Sequence, residues 1–174
     1  MRARFDGVPA RYSHVIVDEA QDLSLLQLRA MMRRSDGLTL VGDDAQRSNP
    51  AGIGLERVGS VLDAPVHVLD TAYRMSAEIA SWLNEWASSH GIGAVQLVGI
   101  RHTGVPVAVE ADVATAEARL RSAWPNVAVI AAGEVWDHKG VEYDAVVVDA
   151  HAMTPSEVYL AASRAAHELA VVGV

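Results

Sequence analysis

The chain has 174 residues, a length for one domain or two small lobes, and at this size about 70% of the unfolded surface can be buried without a disulfide or metal staple. Hydrophobic residues make up 51% and charged residues 21%, which excludes a disordered chain, and the absence of cysteine excludes a disulfide framework, a zinc-thiolate site and a thiol nucleophile. The net charge of -8 argues against strong autonomous binding to nucleic acid, whose backbone affinity comes from neutralised phosphates.

Short apolar runs alternate with amphipathic stretches. His14 to Val17 (HVIV) reads as a buried strand that ends in acids, and Ser24 to Arg34 as a helix with Leu25, Leu28, Met31 and Met32 on one face. Leu38 to Gly42 is a second strand, entered through the turn pair Asp36-Gly37; residues 47–54 form a loop. Val66 to Leu69 (VHVL) is expected to be a third strand. Ser76 to Ser88 reads as a helix closed by Gly91. Residues 96–100 and 105–109 are strand candidates around a polar turn at Arg101 to Gly104. Asp112 caps a helix that Pro125 stops; residues 127–132 and 145–150 are strands; Ser156 to Ala166 is a helix behind Pro155; residues 169–174 are the last strand. Alternating strands and helices, with several strands apolar throughout, predict a parallel α/β sheet covered by helices on both faces. The seam is expected near Leu62 to Pro65.

No apolar run approaches the roughly 18 residues of a membrane span, and the first residues carry no apolar signal core. The expected setting is cytoplasmic, with no membrane partner.

The sharpest local signal is VIVDEAQD (15–22). A buried strand delivers Asp18 and Glu19 to its C-terminal edge, where open α/β sheets bind ligands. One carboxylate there can hold Mg²⁺ through its waters while the second aligns or deprotonates an attacking water. A bare Asp-Glu pair would more often be solvated strand-end acids or a helix cap; the full string DEAQD reverses that preference. The second strand repeats the design in LVGDDAQ (40–46), which ends in Asp43, Asp44 and Gln46. A glutamine at that edge can sense a γ-phosphate. The same segment also reads as an Asx-type turn after a strand, and by itself it is weak evidence for a sensor.

DEAQD followed by LVGDDAQ resembles motifs II and III of superfamily 1 helicases, the UvrD/Rep group. AYRMSAEI (72–79), HKGVEYDAVVV (138–148) and YLAASRAAHELAVV (159–172) resemble motifs IV, V and VI in order. AYRMSAEI and RHTGVPV (101–107) look most similar to HelD-like proteins. The resemblance implies a RecA-like second lobe over 64–174 (motifs IV to VI) and a partial first lobe over 1–63 (motifs II and III) that lacks the phosphate-loop strand. It implies ATP and Mg²⁺ as cofactors of the complete protein, with Asp18 on the ion, Glu19 on the water, Gln46 as sensor and Tyr73 stacked on adenine. Arg74 and Arg164 would neutralise charge on the transferring phosphoryl group. Gly140 and Glu142 would touch the nucleotide, and Lys139, the single lysine of the chain, would reach nucleic acid. The acidic strand tips would then face the two guanidinium groups across a cleft.

Departures are equally legible. No Gly-Lys-Ser/Thr string occurs, so the backbone cradle for the β- and γ-phosphates is missing. The Thr-x-His element expected before Lys139 is replaced by Glu134, Val135 and Trp136, and Ala162 and Ser163 stand where Leu and Thr are usual. Three readings follow. The first is the C-terminal segment of an ATP-dependent helicase or translocase, acting on single-stranded DNA in the complete motor and hydrolysing little ATP alone. The second is a degenerate interaction module for RNA polymerase or another motor subunit. The third is a nucleotide-sensing regulator. The strands at 14–17 and 38–42 are expected to pair with second-lobe strands, self-associate or dock on a missing N-terminal portion, because a two-stranded sheet exposes an edge and an apolar face. Trp82 and Trp86, spaced i, i+4, read as helix packing more than as a base platform. The seven histidines show no metal-ligand spacing.

Overall fold

A computed structural model describes residues 11–174. They fall into two compact units that divide between Val66 and His67.

In the first unit β1 (Val15–Val17) and β2 (Leu38–Leu40) run parallel, with Val15, Ile16 and Val17 opposite Leu38, Thr39 and Leu40. The connection is α1 (Leu25–Met32). Its start is fixed locally by a capping box: the Ser24 hydroxyl accepts the Gln27 amide, and the Gln27 side chain accepts the Ser24 amide at 2.9 Å. After the loop, α2 (Leu55–Leu62) follows. Buried Ala20, Leu23, Leu28 and Val58 form the core, with Val17, Leu38 and Leu40 packed against it. Strand side chains alternate between faces, so Ile16 points to the other side and stays 73% exposed.

Of the three arrangements expected for the first two strands, pairing with second-lobe strands is not the one found. They pair with each other and with no other strand among the described residues. The reason is local: α1 supplies a short crossover, and the ladder continues past the strands as Val41 donates to Val17 O at 2.9 Å and Ala20 to Val41 O at 2.9 Å.

The second unit holds six strands: β3 (Thr71–Ser76), β4 (Val98–Arg101), β5 (Ala108–Glu110), β6 (Val127–Ile130), β7 (Tyr143–Asp149) and β8 (Ala165–Val172). Three helices join them: α3 (Ala77–His90), α4 (Val113–Ala123) and α5 (Pro155–Ala162). β3 pairs with β4, and the other four form a sheet in the order β5-β8-β7-β6. Every pairing is parallel. The central strands are buried on both faces. Ala145, Val147, Ala170 and Val172 pack on Ala116 and Leu120 of α4. Val146, Val148, Leu169 and Val171 alternate with them and are fully buried on the face where α3 and α5 pack. This is the parallel α/β architecture expected from the apolar strand runs.

One expected strand is absent, and the helix expected to run to Ala166 ends at Ala162, because Ala165 already pairs in β8. VHVL (66–69) is not a strand; Val66, Val68 and Leu69 are 65%, 65% and 81% exposed, and the strand begins at Thr71. Pairing decides this, because Thr71 and Ala72 find Val98 and Gly99 as partners, whereas the apolar run finds none. The helix α2 is an addition that the loop at 47–54 ran into. Among the described residues no helix is long and apolar enough to cross a membrane.

Candidate functional site

In the first unit, β1 ends at Asp18 and Glu19. Glu19 sits in the left-handed region at φ 54°, ψ 37°, an uncommon conformation for a residue with a side chain. Its amide donates to Asp18 Oδ1 at 2.8 Å. Its carboxylate is held from the other side by Gln21, whose Nε2 donates to Glu19 Oε2 at 2.6 Å. Gln21 is fully buried, and its Oε1 accepts the Asp43 amide at 3.1 Å. Asp43 then accepts Ala45 N–H at Oδ1 (2.9 Å) and the Gln46 side chain at Oδ2 (2.9 Å). A single hydrogen-bonded chain therefore runs from the end of β1 to the end of β2, through Glu19, Gln21, Asp43 and Gln46.

Close approach of the two strand ends requires Gly42. A Cβ there would lie 2.1 Å from Gln21 Oε1 and 3.0 Å from the Ala20 nitrogen. The neighbouring acids have structural work. Asp44 accepts the Leu55 amide at 2.8 Å and so caps α2. Asp22 accepts the amides of Ser48 and Asn49, both at 2.8 Å, and the Ser48 hydroxyl at 2.7 Å, fastening the following loop. Asp18 is exposed and uses one oxygen on the Glu19 amide. Among the described residues no group of three or more His, Asp or Glu could hold a metal ion directly. The donor set suits a hydrated Mg²⁺ met by one carboxylate, the usual mode for an ion that keeps its waters, and does not form an all-protein cage.

In the second unit, β3 carries Tyr73 and Arg74. Tyr73 is 74% exposed. Arg74 Nη1 pairs with Glu142 Oε1 at 2.5 Å, so two sequence-selected residues from distant segments meet. Tyr143, next to Glu142, donates its amide to Arg164 O at 3.0 Å, which brings the third beside them. Arg101 ties the arrangement together: its Nη2 donates to the Arg74 carbonyl and to the Ala166 carbonyl, the latter at 2.8 Å. Arg164 is only 4% exposed; its Nη2 donates to Ser163 Oγ at 2.9 Å and its Nε to Leu160 O at 3.3 Å. Lys139 closes the short helical turn Val135–His138, its amide on Trp136 O, and Gly140 follows at φ 77°. His138 Nδ1 lies 2.7 Å from the Tyr143 hydroxyl.

Sequence reasoning missed Arg101, and nothing in its setting at a strand end marks it. Gln21 did carry a signal: a glutamine two positions after a pair of strand-end acids, at the start of a turn, is placed to reach back to them.

No family model matches the sequence, and no curated protein matches it. Solved structures match the fold. The arterivirus nonstructural protein 10 helicase in complex with DNA superposes with a TM-score of 0.64 at 16% identity, over 95% of this chain and 41% of that one. A PRRSV helicase structure gives 0.60 at 16% identity, over 90% and 34%. A crystal structure of the arterivirus helicase gives 0.59 at 15% identity, over 95% and 40%. The chain therefore has the parallel α/β, RecA-like fold of part of a helicase and spans less than half the length of the helicases it resembles.

Proposed function

We propose that this chain is the motif II to VI segment of a superfamily 1 ATP-dependent helicase or translocase. The observation that carries the reading is the hydrogen-bonded chain from Glu19 through Gln21 and Asp43 to Gln46. It holds a strand-end acid in a strained conformation and links it to the glutamine that the sequence assigns as sensor. Strained backbone persists where surrounding structure over-determines it, and such sites cluster where chemistry occurs.

ATP with Mg²⁺, when bound, supplies the phosphoryl group to be transferred. Asp18 binds the hydrated ion. Glu19, aimed by Gln21, orients the attacking water and takes its proton. Tyr73 offers an exposed ring to the purine, and Arg74 neutralises phosphate charge once it leaves Glu142. Glu142, released in the same exchange, hydrogen-bonds the nucleotide beside Gly140. Arg164 serves the same charge after turning away from Ser163. Lys139 faces nucleic acid, which in the motor is single-stranded DNA; the arterivirus relative was solved with DNA. The phosphate cradle comes from polypeptide other than this sequence, and the exposed Ile16 face of the β1–β2 sheet supports packing of such a segment there. Within the superfamily, AYRMSAEI supports the UvrD-like, HelD-type placement.

A second reading, a non-catalytic interaction module that binds RNA polymerase or another motor subunit, is favoured by one observation: Arg164 is buried and bonded to its own helix. Mg·ATP titration separates the two. The motor reading expects weak, Mg²⁺-dependent binding that Arg74→Ala and Tyr73→Ala abolish, with negligible turnover by the chain alone. No binding at millimolar nucleotide favours the module. Turnover at the rate of an intact motor, lost in Glu19→Gln, contradicts the assignment of the phosphate cradle to another segment.

A further inference from the structure

One face of α3 and the loop between β4 and β5 form an open groove of about 440 Å³ that the motor reading does not use. Glu78, Trp82, Glu85, His102 and Pro106 line it, and no lysine or arginine does. The groove is preformed. Glu78 accepts the amides of Thr103 (3.2 Å) and Gly104 (2.9 Å) and the Thr103 hydroxyl (3.2 Å), which fastens the loop to the helix. Its own backbone amide first, then those of Gly104 and Thr103, hold the Glu78 carboxyl low, its pKa lowered to about 2. His102 Nδ1 stands 3.7 Å from the same carboxylate.

The aromatic wall is also fixed. Trp82 stacks on Trp86 with ring centroids 5.1 Å apart and 15° between planes, and Trp86 Nε1 donates to the Pro155 carbonyl at 2.9 Å. Glu85 is exposed and its carboxylate has no hydrogen-bond or ion-pair partner among the described residues.

Stacked indoles are surfaces on which nucleobases bind, but strand-binding grooves pair them with cations along the phosphates. Here the charges are carboxylates, so phosphate is repelled and a cation is attracted. A guanidinium satisfies both features at once, because it is planar, stacks on an indole face and donates in a fork to a carboxylate. An ammonium meets only the charge. We propose that this groove docks an arginine side chain presented by a basic segment of a partner polypeptide, with the guanidinium against Trp82 and hydrogen-bonded to Glu85. The site lies wholly in the second unit and stands apart from the motor reading.

The test is titration of the full 174-residue chain with a short capped oligo-arginine peptide, an oligo-lysine peptide of equal length and oligothymidylate, read by tryptophan fluorescence. The arginine peptide is expected to bind and change the emission, and the lysine peptide to bind more weakly. Glu85→Gln should weaken arginine-peptide binding by about threefold or more, and Trp82→Leu by about tenfold. Glu117→Gln, an acid paired with Arg121 on α4, should leave it unchanged. Glu85 is exposed, so its variant keeps the test sound even if Trp82→Leu disturbs folding. Equal losses in Glu85→Gln and Glu117→Gln, unchanged binding in Glu85→Gln, or binding of oligothymidylate in preference to the peptide would each overturn the proposal.

Discussion

Gln21 can neither donate charge nor accept a proton at neutral pH, yet both ends of its amide are committed, one to the Glu19 carboxylate and one to the Asp43 amide. Replacing it with leucine keeps the volume and removes both bonds. The part-buried Asp43 amide then loses its acceptor, at a cost of about 1 kcal/mol, measurable as a lower urea midpoint. Gly42→Ala meets the same amide from the other side, since its Cβ would fall 2.1 Å from Gln21 Oε1; a loss of about 1–3 kcal/mol is expected from overpacking. Glu78 gives a pH signature. Its folded pKa, about 2, lies below the ordinary 4.5, chiefly because backbone amides donate to it. A depressed carboxylate contributes stability that is complete above its unfolded pKa and is lost as pH falls towards the folded one. Thermal melts should therefore fall between about pH 4.5 and pH 2, and Glu78→Gln should flatten that limb; an unchanged acid limb would contradict the assignment. At this scale the position of DEAQD and GDDAQ at two neighbouring strand ends was legible, because acids directly after short apolar runs mark where strands stop. Arg101 was not, because its value lies in two carbonyls, those of Arg74 and Ala166, that only folding brings within reach.

Among the elements, the caps were readable: Asp112 accepts the Thr115 amide at 2.8 Å, and Ser76 accepts that of Ile79 at 3.3 Å. Apolar runs were a poorer guide at the seam. VHVL has a strand's composition but no partner strand, while TAYRMS has a weaker pattern and pairs with β4. Periodicity cannot report pairing. The helix α2 had a signal in Leu55, Val58 and Leu62, spaced i, i+3, i+7 and packed in or against the first unit's core, but it is short and interrupted by Gly59. β4 crosses the start of α3 closely: a Cβ on Gly99 would sit 2.4 Å from Ala77 Cα. The loop at 47–54 is held through Asp22. Asp22→Ala should free the Ser48 and Asn49 amides, seen as faster hydrogen exchange at those two positions, with a stability loss of about 2 kcal/mol from charge-assisted bonds. Protection unchanged at both amides would show that the loop is fastened by something else.

Across the whole molecule, charge and topology set what the chain can do unaided. With 14 basic residues against 22 acidic, it should bind a labelled oligothymidylate no more tightly than the weak nonspecific range of about 10⁻⁴ M at physiological salt; micromolar binding would contradict the placement of nucleic-acid contact in the complete motor. The parallel α/β class followed from alternation of apolar strands and amphipathic helices. The separation of the described residues into three sheets did not, because which parallel strands neighbour one another is set by crossovers and packing that no single segment encodes. In the proposed motor, Asp18, Glu19 and Gln46 of the first unit and Tyr73 and Arg74 of the second would each contact the nucleotide. Amide chemical-shift mapping of the chain with millimolar ATP and Mg²⁺ tests this directly. Shifts concentrated at Asp18, Glu19, Gln46, Tyr73 and Arg74, with those at Asp18 and Glu19 lost when EDTA removes the ion, are the predicted result. No shifts at these positions, or shifts confined to other surfaces, would contradict it.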